Sequence, residues 1–198
     1  NVSVDAALLR SAPRLRVVGR MSSGGENIDL AARCGLSSIA DLCLDKEQGR
    51  LYVGGNTVEG AIPVLVEVDC LTARPKRVYK VGEHGRSVEW SAARDGAVVA
   101  VLDDDTVKVL KPGSERFLGL PAGNEFKAKK VFSGAKGFYF CEVSRDISFL
   151  EVDRDGVELG TSTQILDPEE SLLCVTQNGD GQDLLVITSS EGYVFIPA

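Results

Sequence analysis

The sequence predicts an all-β fold made of repeated antiparallel units of four short strands, and three observations lead to it. Valine-rich apolar runs alternate with Gly, Asp and Asn punctuation along most of the chain. The runs fall into groups that start near residues 39, 87, 127 and 171, a period of about 40 to 48 residues. Within each group the links between runs are short enough for hairpins. Units of this length and strand count are the mark of β-propeller blades.

Taken in order, the chain starts with a linker (1–13) and then RLRVVGRM (14–21), a basic alternating run with no unit of its own. Weak helical patterns occur only at 3–10 and 26–34. The first unit is IADLCLD (39–45), RLYVGG (50–55), PVLVEVD (63–69) and KRVYKV (76–81). The second is SVEWSAA (87–93), AVVAVL (97–102), TVKVLK (106–111) and RFLGL (116–120). The third is KAKKVFS (127–133), GFYFCEV (137–143), ISFLEVD (147–153) and GVELGTS (156–162).

The fourth unit has three runs, SLLCVTQ (171–177), DLLVITS (183–189) and GYVFIPA (192–198). Second runs are almost continuously apolar, as suits a strand packed on both faces. Third runs alternate better. Fourth runs are short and basic, which suits an outer edge where lysine discourages sheet-to-sheet pairing. The missing run of the fourth unit is expected from 14–21. That pairing closes a ring of four blades over 14–198 and removes the open edges; the alternative is that, in a longer chain, these are four blades of a larger ring.

Composition narrows the function. The chain has 198 residues, 43% hydrophobic and 26% charged, enough to bury a sizeable core. Its 22 Lys and Arg against 29 Asp and Glu give a net charge of −7, which argues against nucleic acid and anionic membranes as partners. No apolar run approaches the ~20 residues of a membrane span. The first residue is Asn1 and no signal-peptide pattern follows, so a domain excised from a larger intracellular protein, cytoplasmic or nuclear, is expected. The five cysteines form no CxxC pair and lie mostly in strand-like runs, where a thiol acts as a small hydrophobe. No zinc site, no other metal and no cofactor is expected.

The stretch GEHGRSVEWSAARDGAVVAVLDDDTVKVLKPG (82–113) carries the sharpest motif. His84 precedes the innermost run, Asp95-Gly96 forms the next turn, and Asp104 precedes Thr106-Val107-Lys108-Val109. In these positions it resembles a blade of the WD-repeat family. The resemblance implies a propeller used for protein–protein interaction, with structural roles for His84 and Asp104, the aspartate pinning the histidine. Leu110 stands where that family carries Trp, and AVVAVL supplies no hydroxyl to the network. The remaining units match in period and strand order.

Asp103-Asp104-Asp105 also has to be weighed as a carboxylate site. A calcium loop needs oxygen ligands at spaced positions, and three adjacent residues cannot all face one ion. A hairpin turn suits them, because aspartate accepts hydrogen bonds from the backbone that follows it and tolerates left-handed dihedrals. His84 is the only histidine, which excludes two-histidine zinc ligation. The glycine-rich stretches at 22–27, 53–60 and 177–183 lack the GK[ST] ending of a phosphate loop.

The leading expectation is a non-catalytic scaffold that binds a protein or peptide through its loop face. That face would carry Glu83, His84, Arg86, Asp103, Asp104, Asp105, Arg145, Asp146, Glu169, Glu170 and Glu191. It leans acidic, so a partner with basic segments fits. An alternative is a propeller enzyme of lactonase or glycosidase type, for which the inner runs offer Asp41 and Glu89 in the channel. A dimerisation or targeting domain is another. A hemopexin-like four-bladed domain is similar in length, but the Asp-Ala-Ala motif that family repeats occurs here once, at Asp5. The basic clusters Arg74, Lys76, Arg77, Lys80 and Lys127, Lys129, Lys130, Lys136 read as edge lysines or as a patch for acidic or phosphorylated peptides. Trp90 is expected in the core.

Overall fold

The computed structural model describes residues 29–198 except 73, 123–125, 135, 144–145, 161–162, 165–171, 178–183, 189–191 and 196–198, with side chains described for 30–160. The linker 1–13, the helical pattern at 3–10, the run at 14–21 and its expected pairing with the last unit lie outside these residues. Among the described residues, a short helix α1 (Asp29–Arg33) falls inside the weakly helical pattern, and antiparallel sheets follow.

The first sheet is β1 (Leu36–Asp45), β2 (Arg50–Thr57), β3 (Pro63–Asp69) and β4 (Arg74–Lys80). The second is β5 (Val88–Arg94), β6 (Ala97–Leu102), β7 (Val107–Leu110) and β8 (Leu118–Gly119). The third is β9 (Ala128–Ser133), β10 (Phe138–Glu142), β11 (Asp146–Val152) and β12 (Val157–Leu159), with β13 (Thr163–Gln164) also on β11. The fourth is β14 (Leu172–Gln177), β15 (Leu184–Thr188) and β16 (Gly192–Phe195). Each sheet is a meander whose spatial order repeats the chain order.

The continuous apolar runs have a simple cause. Every residue of β6 is buried, and its two faces serve different interfaces. Val98, Ala100 and Leu102 join Leu65, Tyr79 and Val81 of the first sheet in one cluster. Ala97, Val99 and Val101 join Val131, Phe138 and Phe140 of the third sheet in another. Side chains alternate across a strand, so a strand between two sheets must be apolar at every position. Each buried valine contributes about 1.5–3 kcal/mol of hydrophobic stabilisation.

A third cluster covers the other face of the first sheet, where Leu30 and Cys34 pack with Leu51, Val53 and Val66. Cys34, Cys43 and Cys141 are free and buried. Burial pushes the Cys34 thiol up to about 11.

Polar side chains tie the sheets together at their inner strands. Asp41 on β1 accepts a hydrogen bond from the Ser91 hydroxyl at 2.7 Å and another from the Ser91 amide on β5. Asp45, fully buried at the end of β1, accepts from the Gly96 amide at 2.6 Å and from the Gln48 amide at 3.1 Å. Arg94 reaches on to the Gly134 carbonyl in the third sheet. Within the first sheet, buried Glu67 accepts from the Tyr79 hydroxyl at 2.9 Å and faces Arg50 at 3.4 Å.

The outer strands of the second and third sheets are shorter than the sequence suggests. β8 has two residues against the run 116–120, and β12 has three, Val157–Leu159, within the run 156–162. An outer strand pairs on one side only and gains little burial, as the 53% exposure of Leu118 shows. The expected core residue Trp90 is half-buried, with its ring 6.3 Å from Phe132 and the Lys130 ammonium 5.2 Å from its centroid.

Candidate interaction surface

One end of the sheets carries the β4–β5 connection, the β2–β3, β6–β7 and β10–β11 hairpins and the β8–β9 connection. The β6–β7 hairpin holds the triple aspartate. Leu102 and Thr106 close a three-residue loop through Leu102 N–H to Thr106 O (3.0 Å) and Asp105 N–H to Leu102 O (2.9 Å). Asp105 has φ 65°, the left-handed position this loop type needs and one that aspartate tolerates. At the other end of β6, Asp95 (φ 49°) and Gly96 (φ 83°) make the two-residue turn that Asp-Gly favours.

Backbone hydrogen bonds then tie the loops at this end to one another. Asp103 N–H donates to Ser87 O at 3.0 Å, Ala128 N–H to Asp105 O at 3.0 Å, and Val143 N–H to Lys127 O at 2.9 Å. Asn56 Nδ2 donates to Arg86 O at 2.9 Å and so joins the first sheet to this row. The result is a continuous ridge across three sheets, held by main-chain bonds and by the Asn56 side chain.

The charges on this ridge are largely paired. Arg86 sets Nη2 at 3.3 Å from Asp104 and Nη1 at 3.9 Å from Asp103. Lys129 meets Asp105 at 2.7 Å, and Lys80 meets Glu83 at 2.8 Å. Lys127 donates to the Asp104 carbonyl at 2.7 Å. Burial pushes the Asp104 carboxyl up, but hydrogen bonds from Thr106 and the charges of Arg86 and Lys127 outweigh it and leave the carboxyl below its usual range.

These contacts revise two expectations. The resemblance assigned Asp104 to His84; the structure gives its carboxylate to Arg86 and the Thr106 amide, while His84 is exposed in its turn. The physical reason is reach and charge: a guanidinium that is always protonated spans two carboxylates at once. Asp103 is exposed as expected, but Asp105 is half-buried under Lys129.

Glu83, Arg86, Asp103, Asp105 and Asp146 thus share the loop end of the sheets, whereas Arg145, Glu169, Glu170 and Glu191 lie outside the described residues. Of the channel carboxylates, Asp41 is taken up by Ser91 and Glu89 is exposed. Among the described residues, no three His, Cys, Asp or Glu side chains gather where they could hold a metal ion.

Successive four-stranded meanders, packed face to face through shared apolar clusters and joined at their inner strands, define a β-propeller. Solved structures of similar fold agree with this. The chain matches the crystal structure of a mitotic checkpoint complex with a TM-score of 0.58 and 15% identity, over 82% of this chain and 51% of that one. It matches the β-propeller domain of Cps50 (Swd1) from Myceliophteria thermophila with a TM-score of 0.59 and 12% identity, over 81% of this chain and 54% of that one.

A third match is Sqt1 from Chaetomium thermophilum bound to the N-terminus of the ribosomal protein L10, with a TM-score of 0.56 and 13% identity over 78% of this chain and 44% of that one. The chain therefore spans about half the length of these structures. No family model and no curated protein sequence matches it.

Proposed function

We propose that the chain is a non-catalytic interaction module that presents its loop ridge to a protein or peptide partner. The observation that carries this reading is the ridge itself: main-chain hydrogen bonds and the Asn56 side-chain amide join the loops of three consecutive sheets into one surface of mixed charge. Support comes from the Sqt1 structure, a propeller of similar fold seen with a peptide segment of another protein. The exposed carboxylates Glu59, Glu83 and Asp103 favour a partner with basic segments. The setting we propose is a larger intracellular protein, in keeping with its buried free thiols.

The test is affinity capture with the wild-type chain and with D103K/D105K, followed by binding measurements on the captured protein. Loss of that protein from the double variant, with secondary structure unchanged, is the expected result. Equal capture by both forms would remove the acidic ridge as the binding surface.

A further inference from the structure

The seam between the first and second sheets opens at its outer rim into a cleft of about 490 Å³. This lies within the ~300–1,000 Å³ range of ligand clefts. Lys80 at the end of β4, with Val81 and Glu83 of the β4–β5 connection, forms one wall, and Lys108 of β7, with Asp104 and Thr106 of the β6–β7 hairpin, forms the other. Phe117 floors one end, half-buried and edge-on to Tyr79 at 6.3 Å and 83°.

Lys108 is the unusual residue here. Val107 and Val109 of β7 join the cluster toward the third sheet, and Leu110 joins the cluster toward the first. Lys108 alternates with the valines, so it lies on the same side as Leu110 and projects into the seam half-buried. The charges around it are otherwise matched: Lys80 has Glu83, Arg86 has Asp104, and Glu115 has Arg77 at 3.8 Å. Among the described residues, neither Lys108 nor Arg116 forms an ion pair, and both line the cleft. The Lys108 charge acts on Glu83 through space, short of an ion pair, which leaves this half-buried ammonium open to an anionic guest.

We propose that this cleft is a docking site for an acidic peptide segment; it adjoins the loop ridge, shares Glu83, Arg86 and Asp104 with it, and takes its guest through the cations Lys108 and Arg116. A carboxylate or phosphate of the segment meets the Arg116 guanidinium through two oxygens and the Lys108 ammonium as a point charge. An apolar side chain of the segment rests on Phe117. The exposed Val78 (57%) and Leu118 (53%), on the outer strands of the two sheets, add apolar contact area beyond the cleft.

The experiment is fluorescence anisotropy on the full chain with labelled octapeptides: alternating Glu and Leu, a counterpart with phosphoserine in place of Glu, and a control with Gln in place of Glu. One or both acidic peptides bind and the Gln control does not; the tighter of the two shows whether carboxylate or phosphate is preferred. K108E and R116E each weaken binding about tenfold. R116E alters an exposed loop position and K108Q removes charge without reversing it, so the test survives if K108E fails to fold. Absence of binding by both acidic peptides, equal binding of the Gln control, or affinity unmoved by R116E and K108Q overturns the proposal. Tighter binding of an oligothymidylate than of either peptide overturns it in favour of nucleic acid.

Discussion

The buried Asp45 carboxylate of β1 accepts a 2.6 Å hydrogen bond from the Gly96 amide, fixing the end of the first sheet to the β5–β6 turn of the second. The same carboxylate holds the Gln48 amide in its own hairpin. Asp45→Ala leaves both donors without their partner and lowers unfolding free energy by about 2–4 kcal/mol in urea denaturation. Asp45→Asn keeps one acceptor and costs less.

Asp41 makes the neighbouring link and has a distinct pH signature. Burial raises its carboxyl above the ordinary 3.8, against the lowering by the hydrogen bonds from Ser91 and Leu42. The folded state then holds the proton more tightly than the unfolded chain. The contribution is therefore greatest below the unfolded value and declines as pH rises through the folded one. The stability of the wild type relative to Asp41→Asn falls with increasing pH from about 3.8 upward, measured by urea denaturation across that range.

Tyr79→Phe isolates the buried hydrogen bond to Glu67. The ring contacts with Tyr52 and Phe117 stay, the Arg50 pair stays, and the phenolic donor is lost. A loss of about 1.5–3 kcal/mol is expected, as for hydrogen bonds to charged groups.

Much of the fold is visible in the residues themselves. AVVAVL is apolar at every position because it sits between two sheets, and that pattern, repeated at a fixed period, locates the units. The triple aspartate reads as a turn because aspartate caps its own following amides, as Asp104 does for Thr106 and Asp153 for Gly156.

The inter-sheet anchors were not legible. Asp41 and Asp45 look like a polar position and a turn marker, and only folding brings Ser91 and Gly96, 50 and 51 residues on, against them. The partner of Asp104 was misassigned for a similar reason. His84 and Arg86 are both near in sequence, and side-chain reach decided between them. Lys108 offered one signal in retrospect, a cation on the seam-facing side of an otherwise apolar strand.

That choice between His84 and Arg86 is measurable. His84→Ala changes stability by less than about 0.5 kcal/mol, as for an exposed side chain. Arg86→Ala costs about 0.5–1 kcal/mol, the range of a partly exposed pair. By NMR titration, the depressed Asp104 carboxyl moves up in Arg86→Ala and stays in place in His84→Ala.

Hydrogen exchange with a captured partner present decides whether that partner sits on the loop ridge. Slower exchange is expected at the amides of Arg86, Asp103, Asp105 and Ala128, with no change at Gly96, Ser114 and Gly156 at the opposite end. Protection of Gly96, Ser114 and Gly156 with the ridge amides unchanged would contradict it.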